Sequence, residues 1–388
     1  MSPVFTIGHG AVTVRSPTDE LQLYLRVGRA LQRRHGLLDG SRRLRSYLAD
    51  ERAIPRGGGN RYLRLGGHTW AIPALPPLDS DAFVDHLLAD MHTLHGPELA
   101  PLSMAMLCIT RRCPYRCPHC YTAQDHGAKE LLSTELLMQA LRDLHGAGVH
   151  NVFLSGGEPM ARVDELPALV RTEPALGIWL VSTGYGMEPG VMAELAACGL
   201  RGVMISIDGP DARTHDAVKG QEGAWAQACR AMGVCRDLEL VVGVNCMIGP
   251  RLLEPGVMED FVQDLRQRGA HFVSLNSPHP LPGDDSITPL SPQDLLNIEA
   301  RAAATRKDPA WRDHPLAYSP DAWEALRGCV GGQEFVYISP RGELMSCPFL
   351  RDAIGDIRER SLGEMLVEIR GRRAGCGVCQ NLEACGQH

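Results

Sequence analysis

The sequence predicts an α/β fold built on a parallel sheet. Two observations carry this prediction. Between residues 101 and 285, six short β-type runs alternate with helical runs, the pattern of strands joined by crossover helices. Polar and Gly-rich stretches follow these runs directly, at the carboxyl ends of strands, where parallel sheets hold their chemistry. With 44% hydrophobic and 22% charged residues the composition is globular, which excludes long disorder and collagen-like repeats.

Three regimes follow along the chain, with boundaries near residues 100 and 285. Residues 1–100 form an N-terminal α+β extension rich in Arg and His. Asp19 to Gly36 is predicted helix, because Leu21, Leu25 and Leu31 recur at roughly helical period. Tyr62–Leu65 and Thr69–Ile72 flank Gly66, Gly67 and His68 as a short hairpin. Ser80 is placed to cap a helix whose apolar stripe is Phe83, Val84, Leu87, Leu88 and Met91; Pro97 and Pro101 then mark a boundary.

The second regime, 101–285, supplies the strands Met104–Ile109, Asn151–Ser155, Ile178–Ser182, Gly202–Ile207, Leu240–Met247 and Phe272–Asn276. Helical patterns between them include Thr134–Leu144, Val191–Ala197, Ala224–Cys235 and Gly256–Arg268. The third, 286–388, opens with a helix, Ser291 to Thr305, and a linker containing Pro and Trp. A small Cys-rich unit ends the chain, with a hairpin of Phe335–Ser339 and Glu343–Cys347 about a turn at Pro340, Arg341 and Gly342.

No apolar run approaches the ~20 residues of a membrane span. Met1 to Gly10 lacks a basic segment leading into an apolar one, so a cytoplasmic protein is expected. The net charge of −7 argues against a general nucleic-acid binder. Charge is uneven, however. From Arg26 to Arg64 there are 11 Arg against Asp39, Asp50 and Glu51, a local excess of about +8. That stretch reads as a solvated helical face or as a surface for an acidic peptide. The 13 cysteines in a chain of this type point to metal or redox chemistry rather than disulfides.

The strongest motif is Cys113, Cys117 and Cys120, directly after the first strand and interleaved with Pro114 and Pro118. The prolines exclude an ordinary helix. A zinc site would want a fourth ligand, with His119 and His126 nearest; a [4Fe–4S] cube held by three cysteines leaves one iron open. After the second strand stand Gly156, Gly157 and Glu158. The glycines permit close backbone approach, and Glu158 suits a charged amine. Ser182 and Thr183 end the third strand. Ser206 and Asp208 end the fourth, with His215 and Lys219 following. Asn245 is a polar residue within the fifth.

The Cys-x3-Cys-x2-Cys loop after the first strand resembles the radical S-adenosylmethionine (SAM) superfamily. His119 stands where an aromatic residue is usual. The resemblance implies a partial (β/α)6 TIM-like barrel. It implies that Cys113, Cys117 and Cys120 hold a [4Fe–4S] cluster whose open iron chelates SAM. Gly156, Gly157 and Glu158 resemble the Gly-Gly-Glu motif that binds the SAM amino group. Ser182 and Thr183 match in part the text near the SAM ribose and carboxylate. Ser206, Lys219 and Asn245 are further cofactor-binding candidates, and His119 a fourth. Lys219 stands where Arg is common, and keeps the charge without the bidentate fork.

The text around Ser206 to Gly220 resembles the SPASM and Twitch branch, as does the spacing of Cys329, Cys347, Cys376, Cys379 and Cys385. Five cysteines cannot ligate two further cubes, so the resemblance implies one auxiliary [4Fe–4S] cluster on Cys329, Cys347, Cys376 and Cys379. Cys385 is a spare, a swapped ligand or a remnant; a zinc knuckle is the alternative. Cys108, Cys198, Cys229, Cys235 and Cys246 lie in apolar contexts and read as core.

The resemblance further implies an external electron donor of the flavodoxin or ferredoxin type, cleavage of SAM to a 5′-deoxyadenosyl radical, and hydrogen-atom abstraction from a substrate. Modification of a ribosomally made peptide is the first expectation. A dehydrogenase or decarboxylase of a small molecule is the second. A non-catalytic iron–sulfur scaffold is the third, and it would need neither the Gly-Gly-Glu motif nor an open iron.

Overall fold

The computed structural model describes residues 5–7, 10–14, 17–49, 61–65, 67–70, 76–84, 102–280, 287–311, 314–321, 329–350 and 353–371. Each of the six predicted strands forms, within one residue of its expected ends: β5 (Met104–Thr110), β6 (Asn151–Gly156), β7 (Gly177–Ser182), β8 (Gly202–Ser206), β9 (Val241–Met247) and β10 (Phe272–Asn276). They lie side by side in chain order and all pair in parallel.

Period-two alternation decides what each strand buries. Leu107 and Ile109 on β5, Ile178 and Leu180 on β7, Val203 and Ile205 on β8, and Val273 and Leu275 on β10 join the main core. So do Leu137, Ala140, Leu141 and Leu144, the apolar stripe of helix Thr134–Gly146. That helix starts where the Ser133 hydroxyl accepts the N–H of Leu136 at 3.2 Å. The intervening positions, such as Cys108, Trp179, Met204 and Phe272, belong to separate clusters on the inner face. This is the partial barrel of an α/β fold: helices outside, a lumen within.

Four shorter strands form an antiparallel sheet in the N-terminal extension: β1 (Phe5–Ile7), β2 (Gly10–Val14), β3 (Arg61–Leu65) and β4 (His68–Trp70). The expected helix forms as Pro17–His35, and a second, unexpected one follows at Leu37–Ala49. Leu63, Leu65 and Trp70 pack with Trp179, Met204, Val241, Phe272 and Leu316, which stand at or near the amino ends of their strands. The rings of Trp70 and Trp179 meet edge to face at 5.8 Å, and the Arg201 guanidinium lies 5.7 Å from the Trp70 ring. The β3–β4 hairpin thus stoppers the amino end of the lumen. The Ser80 hydroxyl accepts the N–H of Phe83 at 3.1 Å, as expected of a cap; Leu87, Leu88, Met91, Pro97 and Pro101 lie outside the described residues.

Past the six strands the structure departs from expectation. The linker contributes β11 (Leu316–Tyr318), parallel to β10. The predicted hairpin forms as β12 (Phe335–Ile338) and β13 (Glu343–Met345), but β12 also pairs in parallel with β5, and β14 (Gly355–Asp356) adds to β13. The sheet therefore runs β11-β10-β9-β8-β7-β6-β5-β12-β13-β14. The stretch after the fourth strand, for which the sequence predicts no helix, contains helix Ala212–Lys219, capped by Asp211 on the N–H of Thr214 at 2.8 Å and closed by Gly220 at φ +64°. No helix among the described residues is long and apolar enough to cross a membrane.

His271 ties the sheet together at the start of β10. Its Nδ1 accepts the N–H of Val242 at 3.0 Å, its own N–H donates to the Val242 carbonyl at 2.8 Å, and its carbonyl accepts from Leu316 at 3.0 Å. Burial, helped by Arg236, pushes its pKa down to about 4. In the unfolded chain the ring takes up a proton near pH 6.5, and in the folded chain it does not. Stability therefore falls as pH drops from about 6.5 to about 4, at up to ~1.4 kcal/mol per pH unit from this group. Urea unfolding at pH 7.5, 6 and 5 should show this slope, and His271→Gln should reduce it, leaving the share of His215, whose pKa burial also pushes down to about 4.

Candidate active site at the carboxyl ends of the strands

The loop after β5 carries Cys113, Cys117 and Cys120, all half-buried and none in a disulfide. Its start is tied by Glu130, which accepts from the Thr110 hydroxyl at 2.6 Å, the Arg111 N–H at 3.2 Å and the Arg112 guanidinium at 2.6 Å. Its middle is tied where the Tyr115 hydroxyl donates to Gln227 at 2.7 Å. Burial pushes the Cys113 and Cys117 thiols up to about 11. His126 Nε2 is 3.7 Å from Cys120 Sγ. Among the described residues no three His, Cys, Asp or Glu side chains gather closely enough to hold a single metal ion.

The Gly-Gly-Glu segment lies directly against this loop. The N–H of Gly157 donates to the Thr110 carbonyl at 2.9 Å, and that of Glu158 to the Arg112 carbonyl at 2.7 Å. A Cβ at Gly157 would stand 2.2 Å from the Arg112 carbonyl oxygen. At Gly156, where φ is +138°, it would stand 2.5 Å from that of Thr110. The close approach foreseen for a ligand is here, first, an approach to the cysteine loop.

Glu158 is fully buried. Its carboxylate accepts from the Ser182 hydroxyl at 2.7 Å, the Thr183 N–H at 2.8 Å, the Thr183 hydroxyl at 2.6 Å and the Met160 N–H at 3.2 Å. Burial pushes its pKa up against the pull of these donors. So three sequence-predicted residues, Glu158, Ser182 and Thr183, meet, and they meet each other.

Ser206 ends β8 beside Asn245 of β9. The Asn245 side-chain oxygen accepts from Asn276 Nδ2 at 2.7 Å. Asn276, at the end of β10, was missed from the sequence, where no motif marks it. Lys219 lies elsewhere in the site: its ammonium donates to Asp208 at 2.6 Å, with His119 Nε2 3.5 Å from the same oxygen. Of the second cysteine set, Cys329 Sγ accepts the Gly331 N–H and Cys347 Sγ the Phe349 N–H, each at 3.4 Å. A Cβ on Gly331 would stand 3.4 Å from Cys329 Sγ and 3.0 Å from the Ser346 carbonyl, so the two turns adjoin. Cys376, Cys379 and Cys385 lie outside the described residues.

The donor set of the first loop is cysteine alone, and three in number. That chemistry fits an iron–sulfur cube with one open iron better than a closed tetrahedral site. A parallel partial barrel with such a loop after its first strand is the arrangement that the resemblance to S-adenosylmethionine-dependent iron–sulfur enzymes implies. Residues 107–267 match the model of the Radical SAM superfamily. The chain is 30% identical over 301 residues to PqqA peptide cyclase of Xanthomonas euvesicatoria pv. vesicatoria, spanning 72% of this chain and 79% of that protein. It is 24% identical over 310 residues to AdoMet-dependent heme synthase of Methanosarcina barkeri, spanning 71% and 88%. Among solved structures, SuiB of Streptococcus suis bound to precursor peptide SuiA superposes with a TM-score of 0.59 at 12% identity, covering 99% of this chain and 94% of that one. The chain belongs to the radical SAM superfamily: it is an enzyme that uses SAM and a [4Fe–4S] cluster.

Glu158→Gln leaves the size of the side chain but turns an amide donor toward Ser182, Thr183 and Met160. An unmatched buried donor costs about 1–3 kcal/mol. Urea unfolding should show that loss, and isothermal titration should show weaker SAM binding. Unchanged values in both would remove Glu158 from this role.

Proposed function

We propose that the protein is a peptide maturase, which abstracts hydrogen from a ribosomally made peptide to crosslink or oxidise it. The observation that carries this reading is a groove of about 500 Å³ in the N-terminal extension. It lies between helix Pro17–His35 and the helical turn after Ser80, lined by Arg26, Arg29, Gln32, Arg33, Asp81 and Val84. Arg26 is held by Asp81 at 3.0 Å. Arg29 and Arg33 are exposed and one helical turn apart. Such a surface suits an acidic peptide segment docked away from the chemistry. The 30% identity to PqqA peptide cyclase supports the same substrate class.

Bound cluster and SAM supply one-electron chemistry that removes a hydrogen atom from the substrate. The chain's own residues arrange the partners. Cys113, Cys117 and Cys120 would hold the cluster. Gly156, Gly157 and the ends of β7 to β9, with Ser182, Thr183, Ser206 and Asn245, would line the SAM pocket. Glu158 keeps these loops in register.

An auxiliary [4Fe–4S] cluster on Cys329, Cys347, Cys376 and Cys379, with Cys385 a spare or a swapped ligand, would take up the electron that an oxidation releases. The adjoining turns of Cys329 and Cys347 support it, as do the Tyr121 ring beside Cys120 and the Phe349 ring beyond Cys347, 6.2 Å apart. A flavodoxin- or ferredoxin-type protein of the cytoplasm would supply the electron that starts the cycle. The division into a docking extension (1–100), barrel (101–285) and auxiliary unit (286–388) belongs to the same proposal.

Anaerobically reconstituted protein should carry about eight irons, and about four when Cys113, Cys117 and Cys120 are all Ala. With SAM and dithionite it should form 5′-deoxyadenosine, and a precursor peptide with an acidic segment should change in mass. Arg29→Glu with Arg33→Glu should raise the KM for that peptide at least tenfold with kcat little changed. Turnover of a tetrapyrrole or sugar with no peptide modified would overturn the peptide reading. A wild-type count near four, or stoichiometric zinc, would remove the auxiliary cube.

A further inference from the structure

A buried charged array lies beneath the cysteine loop. The Lys219 and Asp208 side chains are 3% and 5% exposed. Asp208 is fixed from several sides. One carboxylate oxygen accepts from Lys219 Nζ at 2.6 Å and faces His119 Nε2 at 3.5 Å. The other accepts the Met247 N–H at 2.9 Å, and the Asp208 N–H donates to His215 Nδ1 at 3.0 Å. The groups come from the loops after β5 and β8, from the end of β9 and from helix Ala212–Lys219.

Folding alone does not call for this pair. Taking two charges out of water costs several kcal/mol, and apolar residues of similar volume often serve stability as well. What the pair adds is a cation fixed by geometry. The Lys219 carbonyl accepts the Arg116 N–H at 3.4 Å, binding the end of its helix to the cysteine loop. Its ammonium acts electrostatically on the thiols of Cys117 and Cys113, and Asp208 acts on Cys117 in the opposite sense. In a site shielded from water such charges are felt strongly.

We propose that Lys219 and Asp208 are positioning residues that set the reduction potential of the cluster held by Cys113, Cys117 and Cys120, Lys219 raising it and Asp208 restraining that rise. The proposal rests on the radical SAM reading of this loop. The reduced cluster carries one more negative charge than the oxidised one, and a nearby fixed cation favours it. Asp208 offsets part of that cation and, through His119, holds the segment beside Cys120. His119 and Lys219, two of the positions where the chain departs from the text it resembles, converge on a single carboxylate oxygen.

The test is a redox titration followed by electron paramagnetic resonance on reconstituted protein in which Cys329 and Cys347 are Ala, so that one cluster is read. Lys219→Met should move the midpoint to more negative potential, and Asp208→Asn to more positive potential. Lys219→Arg, which keeps the charge, should stay near the parent value. Opposite shifts are the signature, because a merely structural role would move both variants the same way or neither. Shifts of the same sign, or none, overturn the proposal. Should Asp208→Asn fail to take up iron, the comparison of Lys219→Met with Lys219→Arg decides: equal potentials overturn it, and a lower value for Met upholds it. The parent protein separates this from the underlying reading. A parent spectrum that SAM does not change would count against the radical SAM site itself, whatever the variants do.

Discussion

The site depends on one buried carboxylate. Glu158 follows β6, yet its N–H is bonded to the loop after β5 and its oxygens to the residues that end β7. Three strand ends that diverge in a twisted sheet are thereby held to one another. Water would compete for each of these bonds at an exposed site, but at zero exposure nothing does. The two glycines before Glu158 are the steric condition for this arrangement. A side chain at Gly157 would collide with the Arg112 carbonyl and part the loops that Glu158 joins.

The two ends of the barrel follow opposite chemistries, and both were written in the strands. At the amino ends the inward residues are Trp179, Val241 and Phe272, closed by Trp70. At the carboxyl ends the inward or terminal residues are Ser182, Ser206, Asn245 and Asn276. One end is an apolar seal and the other a field of hydrogen-bonding groups, so a ligand has a single polar face to meet. The seal comes from the N-terminal extension, which joins a segment outside the barrel to the barrel's stability.

The sequence announced the strands β5 to β10 because each is an apolar run long enough to bury both faces, bounded by turn residues. It announced the cysteine loop because spacing alone carries that chemistry. It was silent where partners lie far apart in the chain. The β12–β13 hairpin was legible from its turn, but its parallel pairing with β5 joins residues more than 200 positions apart, through contacts such as Ser103 with Glu334. β11 has three residues, too few for a period. Helix Ala212–Lys219 has a capping Asp and a closing Gly, both readable, yet it buries His215 and Lys219 rather than an apolar stripe, so hydrophobic periodicity said nothing. Asn276 belongs to no spacing pattern and is found only from the register that sets β10 beside β9.

Acidity does not separate the cysteines of the loop after β5 from those buried in the core. Burial pushes Cys108 and Cys235 up to about 12 and Cys246 well above its ordinary value, as expected of inert core thiols. Yet burial also pushes Cys113 and Cys117 up to about 11, even with Lys219 pulling Cys117 down. Burial thus disfavours the thiolate at both positions. Thiolates, which a cluster requires, would come with ligation, with release of protons as iron binds. What distinguishes Cys113 and Cys117 is placement: they sit on a loop pinned by Glu130, Gln227 and Glu158. Cys108 is enclosed in the wall, its sulfur bonded to Tyr337 at 3.5 Å. The fold supplies position, and a bound cluster would supply ionisation.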